Sequence, residues 1–187
     1  LTLTLTLSMG MREMAEKNAI VKKMLAVEGL GSTTVVCTDK TGTLTKNEMT
    51  IEKVFTDFEE YDVEGVGYIP EGDILKDDEK ITVEDYETLQ KLIETGVLCN
   101  NSKLVKDEAQ YSISGEPTEA SMIVLGEKAG FSQELEEDKP RQEEILFTSE
   151  RKMMTTVNKE GDTNTAFSKG APEVILGKCS QYRLDGK

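Results

Sequence analysis

The chain has 187 residues and a net charge of −14, from 22 basic and 36 acidic side chains. Such a surface repels nucleic acid and anionic lipid, which excludes both as general partners, and any nucleotide site must be a local basic spot in an acidic field. The lack of histidine removes imidazole bases and ligands. Three scattered cysteines argue for reduced thiols, and against a disulfide framework or a structural zinc site.

The length allows one domain or two small ones. A content of 37% hydrophobic and 5% aromatic residues makes for a lean core. No stretch is long and apolar enough to span a bilayer. In chain order, Leu1 to Leu7 alternates with threonine, which taken alone reads as a strand. Thr33 to Thr38 is β-branched and apolar between Gly31 and Asp39, the composition of a short buried strand. That strand would end in the Asp39 carboxylate, a group able to act as a nucleophile and carry a phosphoryl group. The residues after it suit a phosphate: Gly42 lets backbone N–H groups approach an anion, Thr41 and Thr43 add hydroxyls, and Lys40 adds charge.

Met49 to Phe55 reads as a strand, and Tyr61 to Tyr68 as a strand or hairpin in an acidic, exposed stretch from Thr56 to Lys80. Thr82 to Asp85 looks like a helix start, after which Tyr86, Leu89, Ile93 and Val97 form one apolar face with Leu92 beside it. Tyr111 to Ile113 is a short strand. Pro117 then opens a helix with Glu119 in its first turn and Gly130 as a C-terminal cap. Gln133 to Glu144, acidic and broken by Pro140, reads as a surface connection. Thr155 to Asn158 and Thr163 to Ser168 flank a Gly161–Asp162 turn, a hairpin signal, and Pro172 starts a helix through Leu176.

The unbroken run Asp39-Lys40-Thr41-Gly42-Thr43-Leu44-Thr45 resembles the phosphorylation motif of P-type ATPases, ATP-driven ion pumps with a haloacid-dehalogenase-like catalytic domain. Phosphatases of that superfamily place a second aspartate two residues after the nucleophile. Thr41 stands there instead, which argues for a persistent phospho-aspartate and against the alternative of a soluble phosphatase. A non-catalytic nucleotide-binding module is the other alternative. The resemblance extends to three further runs. Gly115-Glu116-Pro117-Thr118-Glu119 is similar to a family run whose last acid lies near adenine. Phe147, ahead of Arg151 and Lys152, matches the aromatic that stacks on the base. Lys169-Gly170-Ala171 matches the run that floors the adenine pocket. An aromatic face stacking on a base contributes about 1–3 kcal/mol.

The resemblance implies an α/β (α+β) fold in three parts. Residues 1–28 would be the end of a transmembrane helix and its stalk, with Leu1 to Leu7 helical and Met9 to Val27 an amphipathic stalk. Residues 29–50 would begin the phosphorylation domain. Residues 51–187 would form an incomplete, mostly antiparallel nucleotide-binding domain with flanking helices. It implies ATP and Mg2+ as cofactors, with Asp39 and the Thr41 carbonyl as the metal ligands within this chain. The partners would be a transported cation, calcium first, and a membrane, with this portion on the cytoplasmic side. No G-D-G-x-N-D or T-G-D run occurs in the chain. It is therefore expected to be a piece of a longer pump, unable to phosphorylate itself efficiently alone.

Overall fold

The computed structural model describes residues 2–107, 110–131, 135–184 and 186–187. The chain divides into two compact units, Leu1–Lys46 and Asn47–Lys187.

The first unit holds helix α1 (Thr2–Glu16) and helix α2 (Leu25–Gly31). The described part of the Leu1-to-Leu7 stretch is helical, as the resemblance implies. Leu1 itself lies outside the described residues. The stretch from Met9 to Val27 is helical in two pieces, with α1 ending at Glu16 and α2 starting at Leu25. α1 stops because Asn18 takes a positive φ of 61°. Around it Ala19 N–H donates to Met14 O at 2.9 Å and Asn18 N–H to Ala15 O at 3.0 Å, which satisfies the last helical carbonyls. The expected strand from Thr33 to Thr38 is not found. Those residues are irregular and exposed, with Val35 76% and Val36 81% accessible. A buried strand exists only against neighbours, and no described strand pairs with this segment.

The second unit is built on antiparallel pairing. β1 (Lys53–Thr56), β2 (Glu59–Val63), β3 (Ile74–Lys76) and β4 (Glu79–Lys80) form a meander in that order. Val54 lies opposite Tyr61 and Val63 opposite Ile74, which puts the apolar residues on one face. A single 3₁₀ turn (Val83–Asp85) leads into α3 (Glu87–Leu98). β5 (Lys103–Asp107) and β6 (Gln110–Ser114) make a hairpin, followed by α4 (Pro117–Lys128). A short α5 (Leu135–Asp138) precedes the second meander, β7 (Arg141–Ile145), β8 (Met153–Glu160) and β9 (Thr163–Gly170), and α6 (Pro172–Leu176) follows. The surface connection expected from Gln133 to Glu144 thus contains a helix and an edge strand. Gln133 itself lies outside the described residues.

α3 is the hub. Leu89 and Ile93 pack with Val54, Tyr61, Val63 and Ile74 of the first meander and with Leu125 of α4. Its far end, Leu98 and Cys99, packs against Met154 and Phe167 of the second meander. α3 and α4 cross closely at Gly126, where an added Cβ would fall 2.4 Å from Val97 Cγ2. Burying a leucine or isoleucine contributes about 1.5–3 kcal/mol, so this one helix carries much of the unit's stability.

A second link is ionic. Lys139 contacts both Glu94 of α3 and Glu160 of β8, the latter at 2.6 Å. Lys91 joins the same two carboxylates at 2.9 and 3.2 Å. Its ammonium also sits 4.9 Å from the centre of the Phe167 ring, so charge and apolar packing meet at one place.

Candidate functional site

In the first unit, Asp39 to Thr45 forms a self-closed exposed loop. The Lys40 carbonyl accepts from the N–H of Leu44 and of Thr45, each at 3.1 Å, and from Thr45 Oγ1 at 3.3 Å. Gly42 adopts φ +71°, which glycine takes without steric cost, and its N–H donates to Thr45 Oγ1 at 3.4 Å. The loop therefore keeps the Asp39 carboxylate, the Lys40 ammonium and the Thr41 and Thr43 hydroxyls exposed. Among the described residues no cluster of three or more acids or cysteines could hold a metal. A hard cation such as Mg2+ commonly takes one or two protein oxygens and completes its shell with water and substrate phosphate. Asp39 and the Thr41 carbonyl have the chemistry for that limited share.

In the second unit the site starts from the β8–β9 register. Met154 pairs with Lys169 and Met153 with Gly170, so Lys152 lies beside the end of β9. The Ala171 N–H donates to the Lys152 carbonyl at 2.9 Å and completes that junction. Gly170 is needed there by the neighbouring backbone. An added Cβ would lie 2.4 Å from Lys152 O and 2.6 Å from Met153 Cα. Lys152 itself has a positive φ of 51°, a conformation costing a non-glycine residue about 1–2 kcal/mol.

Lys169 and Glu119 come together directly. The Lys169 ammonium is buried and lies 2.9 Å from Glu119 Oε1, without a well-aligned hydrogen bond to any described group. Glu119 sits in the first turn of α4, a favourable place for a negative charge. Its other oxygen, Oε2, accepts from the Asn101 N–H at 3.0 Å. The Glu119 carbonyl accepts from Asn100 Nδ2 at 2.8 Å, and the same amide reaches Gly96 O at 3.1 Å. Asn100 is 2% exposed.

Phe147 stands on the loop between β7 and β8 and is 58% exposed, an apolar face open to a flat partner. Arg151 holds that loop in shape. Its guanidinium donates to the carbonyls of Ile145 and Leu146 at 3.3 and 3.2 Å and to Thr155 Oγ1 at 3.3 Å. The Lys152 N–H closes the turn on Thr148 O at 2.7 Å, and the Lys152 ammonium lies 3.8 Å from Glu173. Lys152 and Lys169 thus each face a carboxylate, Glu173 and Glu119, while the Arg151 guanidinium is taken up by the loop. Cys99 Sγ donates to Met154 O at 3.7 Å, and burial pushes its thiol up.

An apolar cavity of about 470 Å³ lies on the helical side of β9, lined by Leu92, Met122, Leu125, Ile175 and the flank of Lys169. Neither Phe147 nor Glu119 borders it, and its mainly apolar lining is completed by Lys53, Thr95, Ser168 and Gly170. The sequence reading missed Asn100 and Asn101, which contact Glu119, and Arg141, which contacts both of them. The polar turn Asn100-Asn101-Ser102 after an apolar helix was the one visible hint.

The second unit is a helix-flanked antiparallel domain that holds a lysine–carboxylate pair and exposes an aromatic on the β7–β8 loop. The model of the P-type ATPase cytoplasmic domain N matches residues 88–187, and the chain belongs to the P-type ATPase family. Its relatives include a calcium-transporting ATPase of Bacillus subtilis, 38% identical over 98% of this chain and 21% of the relative. A cation-transporting ATPase, pma1, of Synechocystis is 40% identical over 97% of this chain and 21% of its own length. Calcium-transporting ATPase type 2C member 1 of Bos taurus is 36% identical over 100% of this chain and 20% of the relative. The chain thus spans about a fifth of the length of these relatives. No described helix is long and apolar enough to cross a membrane.

Proposed function

We propose that this chain is the part of an ATP-driven cation pump that carries the phosphorylated aspartate and part of the ATP-binding domain. The observation that carries the reading is the Lys169–Glu119 contact in the same unit that exposes Phe147 on its β7–β8 loop. It brings an acceptor for an amine, a cation for phosphate charge and a stacking face into one unit. In this reading the base stacks on Phe147, its exocyclic amine donates to Glu119, and Lys152 and Lys169 offset the phosphate charge. Gly170 lets the strands carrying these two lysines lie close together.

Asp39 is the nucleophile. A carboxylate oxygen of Asp39 forms a bond to the γ-phosphorus as the bond to the β-phosphate oxygen breaks, and ADP leaves with that oxygen. Lys40 and the hydroxyls of Thr41 and Thr43 bind the phosphoryl oxygens, and Gly42 provides close backbone approach. Mg2+, held in part by Asp39 and the Thr41 carbonyl, supplies charge neutralisation when bound. The Thr at position 41 leaves no second carboxylate to activate water, so phospho-Asp39 persists and its energy drives ion movement.

Residues 1–28 are assigned to the end of a membrane helix and its stalk. Residues 29–50 begin a haloacid-dehalogenase-like phosphorylation domain, and 51–187 belong to the nucleotide-binding domain. The division of the chain after Lys46 supports a boundary in that region. The names of the relatives favour calcium among the cations, with this portion on the cytoplasmic side of a membrane. The test is an ATP titration followed by backbone amide shifts, beside Lys169→Ala. Shifts clustered at Glu119, Phe147, Lys152 and Lys169 that fade in the variant are expected. A folded chain in which ATP moves none of these amides overturns the nucleotide assignment.

A further inference from the structure

The Glu119 carboxylate is gripped from both sides: Oε1 by Lys169 at 2.9 Å and Oε2 by the Asn101 N–H at 3.0 Å. The second grip depends on a residue far along the chain. Arg141 opens β7, next to a bulge between Arg141 and Glu143, a device that re-aims side chains. Its guanidinium reaches back over the end of α3. Nη2 donates to the Leu98 carbonyl at 3.3 Å and to the Asn100 carbonyl. Nη1 donates to Asn101 Oδ1 at 2.5 Å. Glu136 and Glu144 balance its charge at 3.4 and 3.3 Å, and Asn101 Nδ2 donates to Glu144 at 2.5 Å. One planar cation therefore ties the last carbonyl of α3 to both residues of the turn that faces Glu119.

We propose that Arg141 is a positioning residue for nucleotide-base discrimination, acting on Glu119 through the Asn100–Asn101 turn. The inference rests on the assignment of Glu119 as the acceptor for the base amine. A carboxylate whose two oxygens each have a fixed partner has a fixed plane, with its remaining lone pairs aimed one way. Held so, it accepts from the 6-amino group of adenine and repels the 6-oxo group of guanine. With the turn loosened, Oε2 loses its donor and the carboxylate follows Lys169 alone. Discrimination then falls more than stacking, which depends on Phe147. Lysine cannot replace Arg141, because a single ammonium does not span several acceptors in one plane.

The experiment compares ATP and GTP dissociation constants for the wild-type chain, Arg141→Lys, Arg141→Met, Asn101→Ala and Glu119→Gln, each checked for a native amide spectrum. The expected result is an ATP preference in the wild type that falls about tenfold in both Arg141 variants, the loss of one well-placed interaction. Asn101→Ala, an exposed position that keeps its N–H, lowers the preference by a smaller factor. A wild-type preference retained in folded Arg141 variants, while Glu119→Gln abolishes it, overturns the role of Arg141 and leaves the Glu119 assignment standing. Should the Arg141 variants not fold, an unchanged preference in Asn101→Ala overturns it equally. A preference indifferent to Glu119→Gln overturns the assignment of Glu119 itself.

Discussion

Gly170→Ala separates two accounts of one residue. The family resemblance places Gly170 in the run that floors the adenine pocket, where the lack of a side chain would let the base approach. The structure shows it pressed against its neighbouring strand: a Cβ at 170 would lie 2.4 Å from Lys152 O and 2.6 Å from Met153 Cα and Cβ. Carbon atoms in contact prefer about 3.5–4.0 Å, so β8 and β9 must part by roughly 1 Å at this end. The atoms in the way are mostly backbone and cannot rotate aside. Forced overpacking costs about 1–3 kcal/mol. Loss of the 2.9 Å bond from Ala171 N–H to Lys152 O adds about 1 kcal/mol. Alanine returns about 0.4–1 kcal/mol by restricting the unfolded chain. The net expectation is a loss of about 2–3 kcal/mol. With a urea dependence of about 1–3 kcal/mol per molar, the unfolding midpoint drops by about 0.7–3 M. The assay is urea unfolding followed by circular dichroism, with ATP affinity measured in parallel. A midpoint within about 0.2 M of wild type, with ATP binding lost, refutes the packing argument and restores the base-approach account.

Three other perturbations test the fold around the site. Glu160 is held down to about 2, first by the Lys139 ammonium and then by Thr165, from an ordinary value of 4.5. Its contribution is therefore complete above the unfolded value and is lost as pH falls towards 2. The stability gap between wild type and Glu160→Gln should narrow as pH falls from about 5.5 through about 2, and a thermal-melt gap that stays constant rejects the clamp. Cys37 and Cys179 are exposed and Cys99 is buried, so a thiol reagent should label the first two at once and Cys99 only on unfolding. Labelling of Cys99 at the same rate contradicts its packing against Met154. Phe58 sits at φ +58° in the β1–β2 turn with its ring exposed. Phe58→Gly should relieve the left-handed strain and raise stability by about 0.5–1 kcal/mol, and a lowered melting temperature counts against it.

What could be read in the sequence was what one element decides for itself. The apolar face of α3 is written at helical spacing in Leu89, Ile93 and Val97, and all three are buried. The β8–β9 hairpin is announced by Gly161 and Asp162 between β-branched runs, and its register follows. Thr33 to Thr38 has the same composition of a strand, yet burial is a property of neighbours and those residues stay exposed. β7 went unread for the opposite reason. Arg141-Gln142-Glu143-Glu144 is an edge strand with polar side chains, which protects the edge and erases the alternation that would reveal it.

The site divides along the same line. Glu119, Phe147, Lys152 and Lys169 could be proposed from the sequence because their chemistry resides in side chains at recognisable spacings. Arg141 was not, since two of its partners are the carbonyls of Leu98 and Asn100, and every residue has a carbonyl. A guanidinium that organises backbone leaves no complementary residue type to search for. It reads as one more surface charge until the fold brings it against the end of α3. Where a carboxylate's direction matters, as proposed for Glu119, the residues that set that direction belong to this silent class. They are found by asking which donor occupies each oxygen, and then what holds that donor.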